Sequence, residues 1–124
     1  MPHYISETQL KKYSLFSIGS KEFGYGHYNR IQNLISILYN KNSFIKHYSF
    51  GLHYKNKENF LNRLKFEVQT NKKVILDISN NLFLDKKTIL KIKKILISCK
   101  KNKIYIIDEP ACKNLSTELN FKNV

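Results

Sequence analysis

The segment Gly24-Tyr25-Gly26-His27 places two glycines and a histidine directly before an apolar helical pattern. Glycines there let the backbone approach a ligand, and the free amides and the dipole of a helix N-terminus favour an anion. The same dipole pushes His27 toward neutral imidazole, the form that a general base needs at neutral pH. The segment predicts a phosphate or pyrophosphate site with a proton acceptor beside it. The alternative is a turn that needs its glycines only for bending, with His27 capping the helix or packing under the loop.

The spacing of these residues differs from the common phosphate-binding motifs. Asn29 stands where a GxGxxG motif requires its third glycine, and no Gly-Lys-Ser/Thr sequence follows as in a P-loop. Ordinary dinucleotide or nucleoside-triphosphate binding is therefore weakly supported.

Two carboxylates each follow an apolar run of strand type. Asp77 ends the run Val74-Ile75-Leu76, and Asp108 ends the run that begins at Ile104. Ligands of parallel sheets bind outside the carboxyl ends of the strands, so Asp77 and Asp108 are candidates to share a cleft with His27. Capping of the next loop by each carboxylate is the structural alternative.

Strand and helix patterns alternate along the chain. Short apolar runs predict strands at Leu15, Phe44, Ile75 and Ile106. Amphipathic patterns predict a helix entered at Tyr28, one from Lys57 to Thr70, and one with Asp85 as its N-cap. The alternation predicts a Rossmann-like three-layer α/β/α fold with a mainly parallel sheet. Residues 1–124 suit one domain, with a polar lead-in at 1–12.

The formal net charge of +13 raises the question of nucleic-acid binding. Arg30 and Arg63 are the only arginines, however, and arginine is the preferred residue for phosphate and base edges. Lysines surround the third helix, at 86, 87, 91, 93, 94, 100, 101 and 103. A solvated polar face explains them as well as a basic patch does.

Cys99 and Cys112 lack the spacing of a zinc site or a disulfide framework, so no metal is expected and a reducing compartment fits. No export signal and no apolar run of membrane-spanning length is present, which favours a cytoplasmic protein without membrane contact.

The stretch from Ser20 through Gly24-Tyr25-Gly26-His27 to Arg30, followed by an apolar helix, resembles a family motif. It matches the Ser-x-x-apolar-Gly-x-Gly-His-x-x-Arg opening of the nucleotide-sugar hydrolases of pseudaminic acid biosynthesis. These enzymes are similar in architecture to the GT-B glycosyltransferases. The strand ends at Asp77 and Asp108 match more loosely. The resemblance covers nearly all of this chain but only the amino-terminal half of the family, and it implies the N-terminal domain of a GT-B fold.

The resemblance implies hydrolysis of a UDP-linked amino sugar at the anomeric carbon, with His27 as the base that activates water and with neither metal nor cofactor. Arg30 would brace the turn, and Asp77 would orient groups across the cleft. The implied substrate-site residues are Ser20, Gly24, Tyr25, Gly26, Arg30, Asp77 and Asp108. We also expect a side chain at Gly26 to obstruct the turn.

The chain departs from the family at three places. Phe16-Ser17-Ile18 replaces Arg-x-Asp, Ile78-Ser79 replaces His-Tyr, and the carboxy-terminal domain that holds the uridine and the diphosphate has no counterpart in 124 residues. We therefore expect a hydrolase-like or glycosyltransferase-like domain that either acts with a separately encoded second domain or is a degenerate remnant. A non-catalytic binding module of the same fold and a small basic nucleic-acid-binding protein are the alternatives.

Overall fold

Strands and helices alternate in the computed structural model, which describes residues 11–39, 43–70, 73–98 and 104–107. The strands are β1 (Lys11–Ile18), β2 (Ser43–Phe50), β3 (Lys73–Asp77) and β4 (Ile104–Ile106). The helices are α1 (Gly26–Leu38), α2 (Lys57–Val68) and α3 (Lys86–Ile97). All strands predicted from the sequence are present. The predictions at Asp108 and at both cysteines lie outside the described residues.

The four strands form one parallel sheet in the order β2-β1-β3-β4. The prediction of an α/β fold with a parallel sheet is confirmed. The chain passes from β1 to β2 on one side and then crosses to β3 on the other side of β1. This reversal makes the gap between the carboxyl ends of β1 and β3 a topological switch point, where ligands of such sheets bind.

The sheet separates two apolar layers because successive side chains of a strand point to opposite faces. Phe16 of β1 and Leu76 of β3 belong to the larger core, which α2 and α3 cover. Leu15 and Ile75 belong to the smaller core, which packs against Ile31 of α1. Both faces of β1 and β3 are therefore buried, as expected for the inner strands of a parallel sheet. The result is the expected three-layer arrangement.

The helix ends follow local capping chemistry. Asp85 accepts a hydrogen bond from the Thr88 amide at 2.7 Å, so its predicted N-cap role is confirmed. Asn56 caps α2 in the same way through the Asn59 amide. The first helix begins at Gly26, two residues before the expected Tyr28, and Tyr25 at its N-cap position provides no side-chain acceptor.

A buried polar cluster fixes α2 to β2. Glu67 is fully buried and accepts hydrogen bonds from the Tyr48 hydroxyl at 2.7 Å and from Arg63 at 3.3 Å. Burial and the bond to Glu67 raise the pKa of Tyr48 to about 12.

Among the described helices, none is both long and apolar enough to cross a bilayer.

Candidate active site at the switch point

His27, Arg30 and Asp77 meet at the carboxyl ends of β1 and β3. The Nδ1 atom of His27 lies 2.5 Å from Oδ1 of Asp77. Arg30 donates to the same carboxylate twice, from Nε to Oδ2 at 2.5 Å and from Nη2 to Oδ1 at 2.8 Å. The structure thus brings together three residues that the sequence placed in one candidate site.

The local sequence explains this meeting. His27 and Arg30 are three residues apart in α1 and therefore share one helix face. Asp77 points to the same side of the sheet as Ile75, two residues earlier, and this is the side that α1 covers. Since α1 follows β1 and Asp77 ends β3, the cluster lies at the switch point.

The hydrogen bonds determine where the proton of His27 lies. An ionised carboxylate can only accept, so the 2.5 Å contact requires a proton on Nδ1. Nη2 of Arg30 also approaches Nδ1, but at 3.3 Å this contact is much the longer of the two. In the neutral ring Nε2 therefore carries the lone pair. This is the tautomer that an Asp–His pair uses when the histidine acts as a base.

Asp77 is held in its ionised form although its side chain is fully buried. Burial by itself raises the pKa of Asp77. Hydrogen bonds from Arg30 and His27, together with their charges, outweigh burial and hold this pKa below its usual value. The carboxylate is thus a permanent acceptor that orients the imidazole. His27 is itself only 4% exposed, so its position is fixed by packing as well.

The glycine-containing loop before α1 lies beside this cluster without hydrogen bonding to it in the described part of the chain. Gly24 has a φ of +77°, which explains a glycine at that position. The Ser20 hydroxyl accepts from the Phe23 amide at 3.2 Å and so closes the turn. Tyr25 is 43% exposed. Ser20 and Gly24 therefore have structural roles in shaping the loop.

The expectation for Gly26 was wrong. Gly26 is the first residue of α1, its φ is not positive, and a Cβ built there meets no heavy atom of the described residues within 4 Å. The glycines that tolerate no side chain are elsewhere, most clearly Gly51, whose Cβ would overlap the backbone of Gly19.

We therefore predict that Gly26→Ala leaves the free energy of unfolding unchanged or raises it by up to about 1 kcal/mol, because alanine favours the helix and restricts the unfolded chain. Urea denaturation followed by circular dichroism measures this change. A loss of more than about 1 kcal/mol would show that the loop needs a bare backbone at this position.

Phe16, Ile18, Ile78 and Ser79 are all buried. Phe16 and Ile18 are buried in the larger core, and Ile78 is fully buried. The Ser79 hydroxyl donates to the carbonyl of Ile107 at 3.1 Å. Phe16, Ile18 and Ile78 thus belong to the apolar core, whereas Ser79 makes a polar contact with the backbone.

A second polar cluster lies beside α1 and is formed by Ser17, His47 and Gln32. The sequence pattern did not predict it. Nε2 of His47 lies 2.7 Å from the Ser17 hydroxyl, and the ring stacks on Tyr28 at 5.0 Å. The Gln32 amide nitrogen faces Nδ1 of His47 at 3.3 Å and can only donate. His47 is therefore the Nε2–H tautomer and donates to Ser17. The cluster resembles a Ser–His dyad in distance only. The Nε2 atom that faces the serine carries a proton, so it has no lone pair to accept the serine proton.

The charge state of His47 agrees with this assignment. Burial, and then the charge of His53, lower the pKa of His47 to about 4, so the ring is neutral at neutral pH. Ser17 in turn donates to Ser49 at 3.0 Å. No sequence motif marks this set, since its residues come from β1, α1 and β2. They meet only because β1 pairs in register with β2 and α1 packs beside them.

No metal centre is evident within the described ranges, where no three His, Cys, Asp or Glu side chains are grouped to hold an ion. Comparisons with protein-family models, curated proteins and solved structures returned no match.

Proposed function

We propose that this chain is the amino-terminal, GT-B-like domain of a nucleotide-sugar hydrolase of the type found in pseudaminic acid biosynthesis, in the cytoplasm. His27 is its general base. The observation that carries the proposal is the 2.5 Å contact between His27 Nδ1 and the Asp77 carboxylate at the switch point. It supports a proton on Nδ1, which leaves the lone pair of a neutral ring on Nε2.

The reaction would be hydrolysis of a UDP-linked amino sugar at its anomeric carbon. Nε2 of His27 takes a proton from water, and the water oxygen forms a bond to the anomeric carbon. The bond from that carbon to the diphosphate oxygen breaks, and UDP leaves with the electron pair. Asp77 stabilises the imidazolium that forms, as the acid does in other Asp–His pairs. Arg30 keeps Asp77 ionised, so it positions the base without touching the sugar.

A second domain is part of the proposal. Phe16, Ile18 and Ile78 are buried apolar residues at places where the family has polar groups that contribute to the cleft. The diphosphate therefore needs binding groups from a second domain, and positioning of this kind supplies a large share of catalysis.

The test is release of UDP from a UDP-linked diacetamido sugar, with and without the product of the adjacent reading frame. The chain alone should show no measurable turnover. With a complementing domain, His27→Gln should lower kcat by a factor of about 100 or more, the usual weight of a positioned general base. His53→Gln is the matched control, because His53 is an exposed histidine outside the cluster. Full activity in His27→Gln would show that His27 is not the general base. Rapid turnover by the chain alone would show that no second domain is needed.

A non-catalytic binding module of the same fold is the second candidate. The burial of His27 and Asp77 favours it, since enclosed Asp–His–Arg clusters also serve to fix a helix on a sheet. Binding of UDP or of the second domain without turnover in any combination would select this function. Nucleic-acid binding is less well supported because both arginines pair with buried carboxylates, Arg30 with Asp77 and Arg63 with Glu67.

A further inference from the structure

A groove runs between α2 and α3 on the face of the molecule opposite α1. It encloses about 200 Å³. Leu61 of α2 and Ile95 of α3 are its apolar residues. Glu58, Asn62, Lys65, Lys91 and Lys94 complete its lining.

The groove carries an excess of positive charge. Lys65, Lys91 and Lys94 are exposed, and within the described ranges none of them forms an ion pair with a carboxylate. Lys87 extends the row along α3, because it lies one turn before Lys91. Among the residues that the structure describes, Glu58 is the only acid in the lining. An acidic occupant of this groove would therefore be complementary to it in charge.

The apolar residues decide which acidic molecule fits. We propose that the groove binds an amphipathic acidic helix of a partner protein. Its apolar side chains pack over the partly buried Ile95 and the 4% of Leu61 that is exposed, and its carboxylates face Lys65, Lys91 and Lys94. Binding of an amphipathic helix in a groove between two helices is a recurrent mode of peptide recognition.

Single-stranded nucleic acid is the less suitable occupant. It would match the lysines through its phosphates, but its bases would need aromatic platforms, and no aromatic residue among those described lines this groove. Arg63, the arginine of α2, is already paired with Glu67 and stacked over Tyr48.

The experiment measures binding of a labelled helical peptide of about 16 residues, with leucines on one face and glutamates on the other, by fluorescence anisotropy. A second peptide keeps every glutamate and replaces the leucines with serine. The third ligand is single-stranded DNA of about 16 nucleotides. The proteins are the full chain, the groove variant Lys91→Glu/Lys94→Glu and the control Lys21→Glu/Lys55→Glu, which makes the same change of charge at exposed loop positions.

We expect the groove variant to bind the leucine peptide at least about tenfold more weakly than wild type, because like charges then face each other across the interface. The control should stay within about threefold of wild type, since distant exposed charges are screened. The serine peptide should bind wild type about tenfold more weakly than the leucine peptide.

Several results would overturn the proposal. Equal loss in the groove variant and the control would mean attraction by net charge alone, and equal binding of both peptides would remove the apolar contact. Absence of peptide binding would contradict the proposed occupant. DNA binding that is tighter than peptide binding and depends on Lys91 and Lys94 would assign the groove to nucleic acid. His27→Gln should bind the peptide like wild type, so this result is independent of the proposed hydrolysis.

Discussion

Asp77→Ala is expected to lower the free energy of unfolding by about 3 kcal/mol, the lower end of the range for breaking a buried ion pair. The substitution leaves the donors of Arg30 and the buried Nδ1–H of His27 without their common acceptor. The lower end applies because the Arg30 side chain is 40% exposed and can be hydrated once Asp77 is gone. Urea denaturation at pH 7 measures the difference.

The pH dependence of this difference tests its electrostatic origin. The pKa of Asp77 is lower in the folded protein than in the unfolded chain, so its stabilisation is complete above the unfolded value of about 4 and is lost as the pH falls through the folded value. Wild type and Asp77→Ala should therefore converge in stability below about pH 4. Asp85→Ala is the matched control, because Asp85 is an exposed N-cap and its loss removes one capping hydrogen bond without breaking a buried ion pair. If Asp77→Ala costs no more than the control, the cluster does not stabilise the fold.

Gly51→Ala is expected to destabilise the protein by about 3 kcal/mol or more, since a positive φ costs a non-glycine residue about 1–3 kcal/mol before any steric term. Gly51 has a φ of +101°, and a Cβ there would overlap the carbonyl oxygen of Gly19 and lie 3.0 Å from the Cβ of Ser20. Backbone atoms cannot yield as a flexible side chain can, so the loop after β1 must shift. The hydrogen bond from the Gly19 amide to the Phe50 carbonyl, 2.9 Å long, would be disturbed with it.

Gly26→Ala provides the control for Gly51→Ala, because both variants add one methyl group to a glycine near the carboxyl end of the sheet. The midpoint of urea unfolding should fall for Gly51→Ala and stay constant or rise for Gly26→Ala. Equal midpoints in both variants would contradict the close approach of the two loops.

The parts of the structure that local pattern determines could be predicted from the sequence. Apolar runs placed the four strands, and Asp85 marked the start of α3. The order β2-β1-β3-β4 could not be read in the same way, because strand order depends on which elements pack together. The same limit applies to the site. His27 and Asp77 were candidates by residue type, but the pairing of Arg30 with Asp77 depends on α1 lying over the end of β3.

The constraint at Gly51 and the contact between Ser17 and His47 could not be predicted for the same physical reason. Whether a glycine is required depends on its φ and on its neighbours in space, so the glycine-rich motif drew attention to Gly26 while the constraint lies at Gly51. The contact between Ser17 and His47 depends on the register of β1 against β2, in which Ser17 pairs with Ser49 and Leu15 with His47. The sequence pattern predicts neither the φ of Gly51 nor the register of β1 against β2.

The central position of β1 has a consequence for the order of events during synthesis. This strand leaves the ribosome before its neighbours, yet one of its edges pairs with β2 and the other with β3. A β1-α1-β2 unit can assemble first, while the second edge of β1 waits until Asp77 has been translated. His27 and Arg30 are then already present on α1 without their acceptor. The candidate site is therefore completed only when β3 docks beside β1, and a nascent chain that stops before Asp77 lacks the carboxylate that His27 and Arg30 share.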